Sequence, residues 1–147
     1  MASTTEKAKD VTPERINEKI LGKTRAELAG HLAGGREGID QRLRALDREW
    51  DLERALETGA ATLTLTGTAL GAFVHRRFLV LPAAVAGFLL QHAIQGWCPP
   101  LPVFRALGFR TAREIDEERY ALKAARGDFV GWVGRKEAEP LLQASRS

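Results

Sequence analysis

The chain of 147 residues has one cysteine, Cys98, so it can hold no internal disulfide and no CxxC redox or zinc pair. Its three histidines, His31, His75 and His92, belong to separate segments, and Cys98 stands six residues after His92, at the start of the proline break. No metal-ligand set closes, and neither a metal nor a cofactor is expected. Residues 33–38, "AGGREG", lack the lysine and the preceding strand of a phosphate loop. The first 35 residues contain no apolar core of signal-peptide length, so no cleavable secretory signal is expected. A sequence pI near 9.3 raises the question of nucleic acid, but acidic and basic residues interleave in both flanks and no basic stripe forms. Nucleic acid is therefore not an expected partner.

The most informative scarcity is charge in the middle of the chain. Residues 58–74 and 78–104 contain no Asp, Glu, Lys or Arg, and only Arg76 and Arg77 separate the two runs. The segments 55–73 and 78–97 are each long enough, as helices rising 1.5 Å per residue, to cross a hydrocarbon core of roughly 30 Å. With only a tight turn between them they must be antiparallel neighbours, so the sequence predicts a two-span transmembrane helical hairpin over 55–97.

Within the first span, "TLTLT" (Thr62–Thr66) alternates as a half-buried strand would. A threonine hydroxyl can also return a hydrogen bond to the carbonyl one turn back, and the surrounding glycines and alanines favour a packed membrane helix. Gly67 and Gly71 form a GxxxG, the spacing that lets helix backbones approach closely, either within the hairpin or between two chains. The second span becomes polar near its end, at Gln91, His92 and Gln95. These residues read as cross-hairpin or headgroup hydrogen-bonding groups, with a proton relay or ligand at His92 as the alternative. Pro82 is expected to bend this helix or end its first turn.

The stretch "GWCPP" terminates the second span. Trp97 is an interfacial ring, Pro99 disfavours helix at Cys98, and Pro100 and Pro102 are expected to keep the chain extended. Cys98 is then a small residue in the cap, or else a reactive thiol if Arg105 and Arg110 lower its pKa.

In the flanks, Thr12-Pro13 reads as a helix start, Gly22 as a stop, and Thr24 to Glu27 as a capping box opening a second helix towards a Gly34-Gly35 hinge. Residues 36–57 read as one amphipathic helix, with Ile39, Leu43, Leu46, Trp50 and Leu56 on one face, leading directly into the membrane. Residues 98–127 read as an interfacial Pro-rich cap and an amphipathic helix. That helix opens at the capping box Thr111 to Glu114, carries Ile115, Leu122 and Ala125 inward, and stops at Gly127. Phe129 and Trp132 are expected to anchor a frayed tail, 128–147. Seven arginines flank the spans on the terminal side (Arg42, Arg44, Arg48, Arg54, Arg105, Arg110, Arg113) against two in the turn, which places both termini in the cytoplasm.

The hairpin, together with Gly96, Cys98, Pro99 and Leu107-Gly108, resembles the YgaP-like inner-membrane domain that follows a rhodanese and also occurs alone in small proteins, a family classed as DUF2892. The resemblance spans about residues 50–113. The stretches "LDREWDLERALE" and "EIDEERYALKAARGDF" look like the charged flanks of stand-alone members. The resemblance implies a bacterial inner-membrane hairpin that dimerises. Catalysis does not carry over, because the rhodanese active-site loop is absent. The larger N-terminal part departs from the family pattern.

The expectation is thus an all-α chain whose two-span hairpin is flanked by amphipathic cytoplasmic helices. In function it is a non-enzymatic membrane anchor or scaffold in the bacterial inner membrane, with the bilayer, a second copy and a cytoplasmic protein as partners. The alternatives are a thiol or sulfur carrier using Cys98 with a separate rhodanese, a channel element using His92, and a soluble helical bundle.

Overall fold

A computed structural model describes residues 4–130. Among these residues the chain is all-α, with α1 (Thr4–Asp10), α2 (Glu14–Ala33), α3 (Gly35–Leu46), α4 (Leu52–Phe73), α5 (Val80–Gln95), α6 (Leu101–Ala106) and α7 (Ala112–Arg126). A single 3-10 turn, Arg76–Leu79, joins α4 to α5. The helices form two compact units, residues 4–22 with 50–114 and residues 23–49 with 115–130.

In the first unit α4 and α5 lie antiparallel. Gly67 and Gly71 are buried on the α4 face turned to α5: a Cβ at Gly67 would stand 2.6 Å from Pro82 Cδ, and one at Gly71 2.5 Å from Leu79 Cδ2. The missing side chains are what permit this approach. The alternating threonines are helical. The hydroxyls of Thr62 and Thr66 donate to the carbonyls of Thr58 and Thr62, both at 2.8 Å, so each closes its own polar group one turn back. Pro82 is the third residue of α5, where a missing N–H costs no helical hydrogen bond, and the 3-10 turn becomes α-helix just before it. Gly96, at φ 73°, takes the left-handed conformation and ends α5 with its amide on the His92 carbonyl.

The helical stretch Arg76–Gln95 is long and apolar enough to cross a membrane, and only 6 % of its apolar window is buried. Among the described residues it is alone in this, because Glu57, five threonines and three glycines lower the mean hydropathy of α4. The outward surfaces of both helices are apolar and exposed: Phe73 is 90 %, Leu65 72 % and Val80 71 % accessible.

The second unit is held by a cluster of Ile39, Leu43, Leu46, Ile115 and Leu122, with Leu28 against it. Arg42 lies at its edge, donating to both oxygens of the fully buried Glu118 carboxylate at 2.7 and 3.1 Å and pairing with Glu27 at 2.5 Å. Arg126 binds Asp40 at 2.6 Å and also Asp128, and Arg119 binds Asp47.

Several local expectations are corrected. α2 runs through Gly22 and past Thr24, because good helix formers on both sides outweigh a glycine cost of about 1 kcal/mol. The real break is at Gly34-Gly35, where Gly35 has φ 63°. Residues 36–57 are not one helix: α3 ends at Leu46, and Asp51 caps a new helix by accepting the Arg54 amide at 2.7 Å. Trp50 is consequently exposed, with the Arg54 guanidinium 4.7 Å over its ring. Pro100 and Pro102 do not extend the chain. They start α6, where their fixed φ fits the first turn and no N–H is needed. Ala125 is exposed, and Glu118 and Lys123 join Ile115 and Leu122 on the buried side of α7. Phe129 is half-buried, whereas Trp132 and the rest of the tail, 131–147, lie outside the described residues.

The glycine packing generates a paired test. Gly67→Ala forces a methyl into Pro82 and Leu81 and is expected to destabilise the detergent-solubilised protein by about 1–3 kcal/mol. Gly87→Ala, in open space within α5, is expected to leave the thermal midpoint unchanged or slightly raised.

Candidate functional site

The prolines and glycines that follow α5 fold the chain back under the hairpin and bring four segments together at its base. Gly96 ends the helix, Pro100 opens α6, and Gly108, at φ 98°, closes it. Cys98 and Leu101 thereby pack with Ala8 of α1 and Leu52 of α4, and Val11, Leu56, Trp97, Phe104 and Phe109 complete the cluster. The Phe104 and Phe109 rings meet at 5.6 Å, tilted by 56°. The Leu52 amide donates to the Arg110 carbonyl at 2.7 Å, tying the start of α4 to the loop before α7. At the far edge Lys7 of α1 donates to the carbonyl of Gln95.

Beside this apolar cluster lies Arg105, with no exposed surface. Its guanidinium binds Glu114 in a fork, Nη1 to Oε2 at 2.6 Å and Nη2 to Oε1 at 3.1 Å, and also donates to Asn17 Oδ1 at 2.7 Å and to the Phe109 carbonyl at 3.2 Å. The capping box supplies the other side. The Thr111 amide donates to Glu114 Oε2 at 2.9 Å, and the Glu114 amide donates to Thr111 Oγ1 at 3.3 Å. Asn17 is itself fixed, donating to the carbonyls of Lys9 and Thr12 at 2.9 and 3.3 Å. Burial alone would raise the Glu114 pKa, but the Arg105 fork, the Thr111 amide and the nearby Lys9 together hold it below the ordinary carboxylate value. Only Nε of Arg105 is buried without a protein partner.

The sequence-derived residues fall into three places. Cys98 is buried in the cap, where burial pushes its thiol pKa up against the opposing hydrogen bond from Leu101. That is the reverse of what a nucleophilic thiol needs. Of the cations invoked for it, Arg105 is committed elsewhere, to Glu114 and Asn17. Trp97 and Pro100 are half-buried beside Cys98, and Pro99 is exposed. Gln91 and His92 are half-buried near the end of α5 and Gln95 is exposed. Nδ1 of His92 is buried with no protein partner. Gly67 and Gly71 lie against α5, away from both other groups.

Among the described residues no three His, Cys, Asp or Glu side chains are grouped to hold a metal ion. What the base holds is a fixed network in which the Glu114 carboxylate answers Arg105, with Lys9 nearby. Sequence reading missed the Arg105–Glu114–Asn17 network. Its signal was Arg105 itself, the first charge after a long uncharged run, set between Phe104 and Leu107 where an unpaired guanidinium has no place.

Two measurements follow. Glu114 has a depressed folded pKa, so its contribution is present above the ordinary value of 4.5 and is lost as pH falls through the folded pKa. Glu114→Gln is expected to cost about 3 kcal/mol at pH 7, because Arg105 stays buried without a counter-charge. The difference from wild type should then shrink below pH 4.5 in thermal scans. Cys98 is expected to react with a maleimide at least roughly tenfold more slowly in the folded protein than after denaturation, in keeping with its burial.

Family models, curated proteins and solved structures, each compared with this chain, returned no match, and the geometry of the hairpin and its base is what a functional reading must be built on.

Proposed function

We propose that this chain is a small integral protein of the bacterial inner membrane, a non-enzymatic anchor held by α4 and α5 as two spans with both termini in the cytoplasm. The observation that carries the reading is the apolar, unpartnered outer surface of the α4–α5 pair. In water, contiguous apolar area of this kind is an aggregation hazard, whereas in a bilayer it is the required surface. Both helices satisfy their backbone groups internally, and α4 also closes its Thr62 and Thr66 hydroxyls, so hydrocarbon imposes no unmet hydrogen bond there. The shortfall of α4 in hydropathy comes from Glu57 and the charges at its start together with small and hydroxylated residues, which membrane helices use for packing; from Thr58 to Phe73 the helix carries no charge.

Orientation follows the arginine bias around the spans. The base of the hairpin then lies at the cytoplasmic boundary, where Trp97 and the exposed Val103 and Leu107 suit the headgroup region. The second unit, rich in paired charges and lacking a span, is the part available to a cytoplasmic protein. The bacterial inner membrane is what the YgaP-like resemblance implies; the two spans and their orientation rest on the residues themselves. A dimer built on Gly67 and Gly71 is no part of this reading, since Leu79, Leu81 and Pro82 already cover both positions.

The test is membrane residence together with sidedness. The protein expressed in a bacterium is expected to stay in the membrane pellet after alkaline carbonate. A Cys98→Ala, His75→Cys variant is expected to be labelled by an impermeant maleimide from outside in spheroplasts. Release by carbonate would remove the bilayer from the reading, and labelling in inverted vesicles alone would reverse the orientation.

A further inference from the structure

The end of the hairpin far from the base carries a feature that the anchor role does not use. His75, Arg76 and Arg77 are exposed, and among the described residues neither arginine side chain has an ion-pair or hydrogen-bond partner. No Asp or Glu occurs anywhere between Glu57 and Glu114, so no carboxylate of the hairpin can balance them. Elsewhere the well-buried arginines are answered within the fold: Arg42 has Glu118 and Glu27, Arg105 has Glu114, and Arg126 has Asp40 and Asp128.

The turn is also held in one shape. His75 caps the 3-10 turn, its Nδ1 accepting the Arg77 amide at 3.1 Å. An accepting Nδ1 leaves the proton of a neutral ring on Nε2, so the imidazole adds an outward donor to the two guanidinia. Around these donors stand the exposed Phe73, Val74, Phe78 and Val80. A polar, positive tip ringed by exposed apolar side chains matches the boundary between acyl chains and headgroups, where arginine can keep its charge at the phosphate level while its stem lies in hydrocarbon.

Building on the membrane reading, we propose that Arg76 and Arg77 form a binding surface for the phosphodiester of an anionic phospholipid in the leaflet opposite the base. Arginine suits this partner because its planar fork can donate two hydrogen bonds to one phosphate. Free inorganic phosphate does not meet the same surface, since the apolar ring favours a ligand that brings acyl chains. By the attraction of a basic residue near an anionic membrane surface, each arginine contributes a preference of about fivefold.

The experiment uses the full chain in a neutral detergent, with phosphatidylglycerol, phosphatidylcholine or inorganic phosphate added at matched concentrations, and follows the thermal midpoint. Phosphatidylglycerol is expected to raise the midpoint at a concentration well below that needed for phosphatidylcholine, with no effect of inorganic phosphate. The double variant Arg76→Gln/Arg77→Gln is expected to keep the lipid-free midpoint of wild type, since neither side chain has a partner in the fold, and to lose the difference between the two lipids. An undiminished phosphatidylglycerol response in the variant would move the lipid to other basic residues and overturn the proposal, as would an equal response to inorganic phosphate. The same samples are washed with carbonate before solubilisation. Retention without a phosphatidylglycerol preference overturns the lipid surface alone, whereas release by carbonate overturns the membrane reading beneath it.

Discussion

Burying a guanidinium completely is tolerable only when nearly every donor finds an acceptor and the charge finds its opposite, and the base of the hairpin is arranged around that demand at Arg105. Satisfying it requires the carboxylate of Glu114, the amide oxygen of Asn17 and the carbonyl of Phe109, from three separate parts of the chain. Each acceptor is in turn fixed, Glu114 by the Thr111 amide and Asn17 by the Lys9 and Thr12 carbonyls. The apolar cluster beside it supplies cohesion without direction, while the Arg105 network supplies the direction. Together they set where α1, the start of α2, α6 and the start of α7 stand beneath α4 and α5.

The hairpin follows a different rule. Its two helices meet along a line of missing side chains at Gly67 and Gly71, and large apolar side chains such as Leu65, Phe73, Phe88 and Leu90 are exposed on both. An interface made this close needs no hydrophobic driving force, which hydrocarbon surroundings would not provide. Two of the threonines along α4, Thr62 and Thr66, are turned back on their own helix rather than seeking partners elsewhere.

How far the sequence disclosed this depended on the range of the interactions. The capping box at Thr111 and Glu114 was legible because both halves lie within four residues, and Gly127 announced its stop because positive φ belongs mainly to glycine. Gly22 misled because a glycine ends a helix only when its neighbours allow it, and Lys23 to Leu28 are all willing to continue. The prolines after Cys98 misled by the opposite route: Pro100 and Pro102 were read as extenders, although proline is equally at home in the first turn of a helix. Asp51 was a local signal overlooked because the apolar spacing of Leu43, Leu46 and Trp50 ran on smoothly past it. Arg105 with Asn17 could not be read locally at all, since 88 residues separate the two.

The burial of Ala8 bears on the order in which the protein can be made. Synthesis delivers α1 first, yet the surface that α1 covers is built from Leu52, Cys98 and Leu101, and the acceptors and donors around Asn17 are completed only at Glu114. The opening twenty or so residues must therefore wait, without their partners, until most of the chain has left the ribosome. Contacts so distant in sequence are the slow ones to form. Closure of the base is then a late event that follows the pairing of α4 with α5, and a chain halted between the hairpin and Glu114 would have its helical pair but no finished base.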